Sequence, residues 1–190
     1  MKTKLFLDKE QFQLTISRLC YQLIENHFPF NNTVFIGLQP RGTLLAERIH
    51  KILNKTTGVS ELKTGSLDIT FFRDDFRRRE NIPVASETNI DFIIENKKVV
   101  LIDDVLFTGR TIRAGLDAML SFGRPEKVEL MVLIDRRFAR HLPIEPDYTG
   151  KTIDTRSSDK VKVTWKETDG EDGVWLLTDN DNQPQPVKKK

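Results

Sequence analysis

Asp103 and Asp104 stand side by side at the end of an apolar run, Val99-Val100-Leu101-Ile102, and Val105-Leu106-Phe107-Thr108-Gly109-Arg110-Thr111 follows. A loop of small residues ahead of a helix offers backbone N–H groups and hydroxyls, and the helix dipole adds positive potential. A phosphate fits such a loop. Neighbouring carboxylates suit sugar hydroxyls, or the positive charge of a sugar losing its leaving group. Together these residues describe a pocket for a ribose 5-phosphate. The pattern is neither a Walker loop nor a dinucleotide-binding glycine fingerprint. A second group, Pro40-Arg41-Gly42, sits at a turn between a strand and a helix. Arg41 is suited to phosphate because its guanidinium is planar and always charged.

These loops need elements to hold them. Phe12, Ile16, Leu19 and Leu23 recur at helical spacing, and Asp8 is placed to cap that helix. Val34 to Leu38 reads as a buried strand, and Thr43 begins a helix with Leu45, Ile49 and Ile52 on its core face. Leu67, Ile69 and Phe71 alternate as on a strand. Val99 to Asp103 is the next strand, and Ile112, Leu116, Met119 and Leu120 mark the helix after it. Val128 to Ile134 is a further buried strand, with Asp135, Arg136 and Arg137 at its carboxyl end. Strands alternating with helices predict an α/β fold: an open, mainly parallel twisted sheet with flanking helices. Ligands of such sheets bind beyond the carboxyl ends of the strands, so the loops at 39–42, 103–111 and 135–137 converge on one cleft.

The 190 residues fit one domain, expected over 1–180, with a flexible tail at 181–190. The polar, charged stretch of about 73–89 is expected to be a mobile lid, with Arg73, Asp74 and Arg77 on it. Val161, Val163 and Trp165, then Val174 to Leu177, predict a small β hood, a ribbon at about 160–178. The net charge of +2 points to no class of partner. The lone Cys20 excludes an internal disulfide framework and fits a reducing compartment. No apolar run approaches the ~20 residues of a membrane span or forms a leader at the amino terminus. A cytoplasmic protein without a membrane partner is the expectation.

The run through Asp103, Asp104 and Thr108-Gly109-Arg110-Thr111 resembles the signature of the type I phosphoribosyltransferases. Other segments are similar to the bifunctional pyrimidine operon attenuator/uracil phosphoribosyltransferases. They are Leu67 to Asp75, Asp103 to Gly115, Gly123-Arg124-Pro125, and Leu142-Pro143-Ile144 leading to Asp147 to Lys151. The resemblance runs from about Leu7 to Trp165. It implies transfer of ribose 5-phosphate from phosphoribosyl pyrophosphate to uracil, giving UMP and pyrophosphate. It implies Mg²⁺ bound with the substrate near Asp103 and Asp104, and a homodimer or higher oligomer. Asp103, Asp104 and Arg41 would be catalytic. Pro40, Arg41, Gly42 and every residue from Asp103 to Thr111 would hold phosphoribosyl pyrophosphate. Val105, Asp135 and Arg136 would border the base.

The same resemblance implies sensing of uridine nucleotides and binding of leader mRNA. Ser17 and Tyr21 fall where the family has a Thr and a His on its first helix. Tyr21 suits stacking on a base. Arg140 and Lys151 match the family's basic surface, but Glu145 stands where an Arg is expected, and a carboxylate facing phosphates lowers affinity. Two alternatives therefore stand beside the uracil enzyme: an RNA-binding attenuator with weak catalysis, and a transferase for a purine base. A few hydrogen bonds to the base decide between acceptors.

Overall fold

The structure, a computed structural model, describes residues 2–74 and 86–178. Strand β1 (Lys2–Leu7) leads into α1 (Lys9–His27). Asp8 caps α1 reciprocally: its carboxylate accepts from the Gln11 N–H at 2.9 Å, and the Gln11 side chain accepts from the Asp8 N–H at 3.3 Å. The predicted apolar stripe of α1 is the buried face, with Phe12, Ile16, Leu19, Cys20 and Leu23 in the core. Burial pushes the Cys20 thiol up to about 12, which fits a packing role.

Two strand–turn–helix units follow: β2 (Thr33–Leu38) with α2 (Arg41–Thr57), and β4 (Lys98–Leu106) with α3 (Arg110–Met119). Between them lies β3 (Lys63–Leu67), and after them β5 (Lys127–Arg137) and β6 (Tyr148–Asp154). The order is β3-β2-β4-β5-β6, and every pairing is parallel. The expected α/β architecture is therefore the observed one. One face carries α1 and α2 over Val100, Ile102 and Leu133; the other carries α3 over Val99, Leu101 and Val132.

The hood is a second sheet of order β1-β8-β7, with β7 (Lys160–Thr164), a short α4 (Lys166–Asp169) and β8 (Gly173–Thr178). The ribbon expected from the apolar alternation is its β7–β8 pair, and β1 adds a third strand. Arg48 of α2 fastens the hood to the core. Its guanidinium lies 4.9 Å from the Trp165 ring centre and donates to Glu167 and Asp172.

Two local expectations are corrected. The strand expected through Leu67, Ile69 and Phe71 lies earlier, at Lys63–Leu67. Asp68 then accepts from the N–H and hydroxyl of Thr70 at 3.2 and 2.6 Å, which turns the chain and leaves Phe71 exposed. In α2 Ile52 packs half-buried against the core, on the expected face, and Leu53 beside it is fully buried. Leu120 is exposed because α3 ends at Met119. Glu129, the odd polar residue of β5, is satisfied internally by His27 at 2.7 Å and the Tyr148 hydroxyl at 3.0 Å.

Candidate functional site

The carboxyl ends of β2, β4 and β5 lie together, and the loops after them supply the candidate residues. Strand β4 runs through both aspartates to Leu106, so the acids are strand residues rather than the turn that follows it. The chain then turns at Gly109, whose φ of +88° is a left-handed conformation that favours glycine. A Cβ there would also come within 3.2 Å of Ile144. The turn delivers the N-terminus of α3 with no side-chain cap. A cavity of about 180 Å³ opens beside it. Its lining is Arg73, Asp74, Asp103 and residues 105–112. Arg110 forms an ion pair with Asp74 across this cavity.

Asp103 is buried and lines the cavity; its carboxylate accepts the Asp104 N–H at 2.9 Å. Burial first, then the charge of Asp104, pushes the Asp103 carboxyl well above the usual carboxylate range. Asp104 is half-buried on the next position of the strand, and successive side chains of a strand face opposite sides. It does not line this cavity. Burial raises its pKa to about 6, against the opposing pull of Arg41. The site therefore holds two carboxyls that release protons reluctantly until a cation or hydroxyl donor arrives.

The start of α2 is pressed into the sheet. A Cβ on Gly42 would lie 2.3 Å from the Ile102 carbonyl, and one on Gly37 would lie 2.7 Å from Thr43. Two glycines thus allow the Pro40-Arg41-Gly42 turn to touch β4 just before the acids. The Gln39–Pro40 peptide is cis, and no side chain caps α2. Arg41 reaches under the hood, donating to the Val163 carbonyl and lying 3.8 Å from Asp169.

At the end of β5, Arg136 is buried. Its guanidinium lies 3.8 Å from the Phe107 ring centre and donates to Thr155 at 3.0 Å and to the Asp159 carbonyl at 2.8 Å. Asp135 pairs with Arg140. Arg140, placed on a basic surface by resemblance, is turned inward: its side chain is 22% exposed and surrounded by carbonyl groups. Its structural role carried no sequence signal, because an arginine between polar residues reads as solvated surface. Of the other residues of that surface, Tyr21 is exposed on α1, Ser17 is half-buried, and Lys151 is exposed on β6. Arg18 ties the two elements together, donating to the Thr149 carbonyl at 2.9 Å and to that of Gly150.

Of the lid residues, Arg73 and Asp74 line the cavity, and Arg77 lies outside the described residues. The far end of the expected lid is tied down. Asn89 bridges Ser66 of β3, and Asp68 takes a hydrogen bond from Ser86. Among the described residues no group of three or more His, Cys, Asp or Glu could hold a metal, so a divalent cation here would rely on substrate oxygens beside the acid pair. No described helix is long and apolar enough to cross a membrane.

Residues 3–168 match the family described as phosphoribosyl transferase domain. The Bifunctional protein PyrR of Haemophilus ducreyi is 45% identical over 174 residues, covering 92% of this chain and 96% of that protein. The protein of the same name from Actinobacillus succinogenes is 46% identical, covering 92% of this chain and 98% of its own length. Among solved structures, a hypoxanthine phosphoribosyltransferase from Staphylococcus aureus superposes with a TM-score of 0.68 over 93% of both chains, at 20% identity. One from Trypanosoma cruzi gives 0.70 over 92% of this chain and 91% of its own, at 14% identity. At these identities the structures speak for the fold alone.

Proposed function

We propose, for a chain that belongs to the phosphoribosyl transferase family and within it to the bifunctional PyrR proteins, that it transfers ribose 5-phosphate from phosphoribosyl pyrophosphate to uracil. The products are UMP and pyrophosphate. The observation that carries this reading is the cavity in which a buried aspartate meets a glycine-turned loop at a helix N-terminus.

The N–H groups and threonine hydroxyls of the 108–111 loop take the 5-phosphate, a task for which an uncapped helix start is suited. Asp103 holds the ribose hydroxyls from the cavity, and Asp104, on the other side of the strand toward Arg41, adds its charge, so that both carboxylates stabilise the positive charge that grows on the sugar as pyrophosphate departs. No covalent nucleophile is required. The uncapped start of α2 and Arg41 receive the pyrophosphate, which requires Arg41 to exchange its bond to Val163 for the ligand. Asp103 and Asp104 would hold Mg²⁺ brought in with phosphoribosyl pyrophosphate, which would supply positive charge for the leaving group. The base lies between Val105 and the end of β5, near Asp135 and Arg136. Closure of the lid through Arg73, Asp74 and Arg77 excludes water. The enzyme works in the cytoplasm as a homodimer or higher oligomer.

A second activity, nucleotide-responsive binding of leader mRNA, is favoured by one observation. Tyr21 and Lys151 are exposed on two elements that Arg18 holds together, offering a stacking ring and a phosphate-binding cation.

The deciding experiment is a base panel. The protein is incubated with phosphoribosyl pyrophosphate, Mg²⁺ and each of uracil, guanine, hypoxanthine, xanthine and adenine. UMP from uracil is expected. Product from a purine alone would replace the acceptor, and no product from any base would overturn the transferase.

A further inference from the structure

The guanidinium of Arg140 lies where three pieces of chain meet. It donates to the carbonyls of Leu106 and Phe107, at 3.3 and 2.6 Å, at the end of β4. It donates to the Arg136 carbonyl at 3.2 Å and pairs with the Asp135 carboxylate, at the end of β5. It donates to the Ile144 carbonyl at 2.9 Å, in its own loop. All five partners are acceptors, which suits a fork of fixed N–H groups and not a point charge.

The same loop holds the phosphate loop again one residue on. Thr108 O accepts the N–H groups of His141 and Leu142 at 2.9 and 3.2 Å, and Ile144 packs against Gly109. A trans peptide points its C=O and the next N–H in opposite directions. Fixing the carbonyls of Leu106, Phe107 and Thr108 on this side therefore turns the N–H groups of Phe107, Thr108 and Gly109 away from it. Those three residues line the cavity.

We infer that Arg140 is the positioning residue of the phosphate loop, aiming its N–H groups at the 5-phosphate and joining that loop to the β5 end that borders the base. This rests on the phosphoribosyltransferase reading above. Arg140 touches no substrate; it acts through the backbone it holds.

The test compares wild type, Arg140→Lys and Arg140→Met in steady-state turnover and in calorimetric binding of ribose 5-phosphate. Lysine keeps the charge beside Asp135 but not the fork. Misplacing a binding group by about an ångström is worth up to about 100-fold, and KM for phosphoribosyl pyrophosphate is expected to rise about tenfold or more in both variants. The Kd for ribose 5-phosphate should rise in parallel, and kcat should change less. A merely structural role would lower the active fraction, and so kcat, with KM and Kd unchanged. Unchanged KM and Kd in folded Arg140→Lys would overturn the inference while leaving the enzyme standing. If Arg140→Met fails to fold, Arg140→Lys decides alone. A wild type that neither turns over nor binds ribose 5-phosphate would instead sink the transferase reading, and the inference with it.

Discussion

Replacing Asp104 by asparagine should make the protein more stable and less active, and the gain in stability should depend on pH. In the unfolded chain its carboxyl loses its proton near the ordinary value of 3.8, whereas in the folded site burial holds the pKa at about 6. Between those values the unfolded state binds fewer protons than the folded one, so stability falls as pH rises through that window and stays low above it. The interval corresponds to about 3 kcal/mol at 1.36 kcal/mol per pH unit. That figure already includes the attraction to Arg41, which lowers the folded pKa against burial. For a domain of this size each 1 kcal/mol moves Tm by about 2–4 °C, so Asp104→Asn should melt about 6–12 °C above wild type at about pH 8. The gap should close below about pH 3, under both pKa values, where the wild-type side chain is neutral in both states. Urea unfolding of both proteins across this range measures it. Turnover of the variant should fall at least about 100-fold, the usual scale for a lost electrostatic partner of the transition state. A variant no more stable than wild type at about pH 8, or a gap that ignores pH, would refute the reasoning.

Other substitutions probe other parts. Gly109→Ala places a side chain at φ +88° and 3.2 Å from Ile144; it should lower stability by about 1–2 kcal/mol in urea unfolding and raise KM for phosphoribosyl pyrophosphate. Gly42→Ala puts a Cβ 2.3 Å from the Ile102 carbonyl; the backbone shift needed should cost about 1–3 kcal/mol, again read by urea midpoint. If α1 and β6 form an RNA surface, Tyr21→Ala should weaken leader binding in gel shifts without changing its salt dependence, whereas Lys151→Ala should reduce the salt slope by about 1.

The two strand–turn–helix units could be read from the chain because each pairs a continuous apolar run with a helical stripe, and a parallel sheet buries both of its faces. The apolar face of α1 was legible for the same reason, and its cap because Asp8 precedes the stripe. Strands β1 and β6 were not legible. Both lie at sheet edges, and their alternation is diluted by exposed polar residues. The displacement of β3 turned on Asp68, whose side chain offers the backbone a turn in place of a ladder. At the site, the residue types and their order indicated the chemistry, but not the direction in which each side chain points. Asp104 turns from the cavity that Asp103 lines, and Arg41 reaches to the hood. Arg136 and Arg140 are drawn inside by carbonyl groups from segments far along the chain. Charge in a sequence says nothing of such acceptors. The close approach behind the Pro40 turn left one legible trace, the pair Gly37 and Gly42, whose meaning depends on which strand lies beneath.

The most direct test of the ribose 5-phosphate pocket is a calorimetric titration of phosphoribosyl pyrophosphate with Mg²⁺ into wild type and into the double variant Asp103→Asn/Asp104→Asn. One saturable site per chain in the wild type, with affinity lost in the folded double variant, is the predicted result. Equal binding by the two proteins would contradict the account, because the sugar would then be held elsewhere.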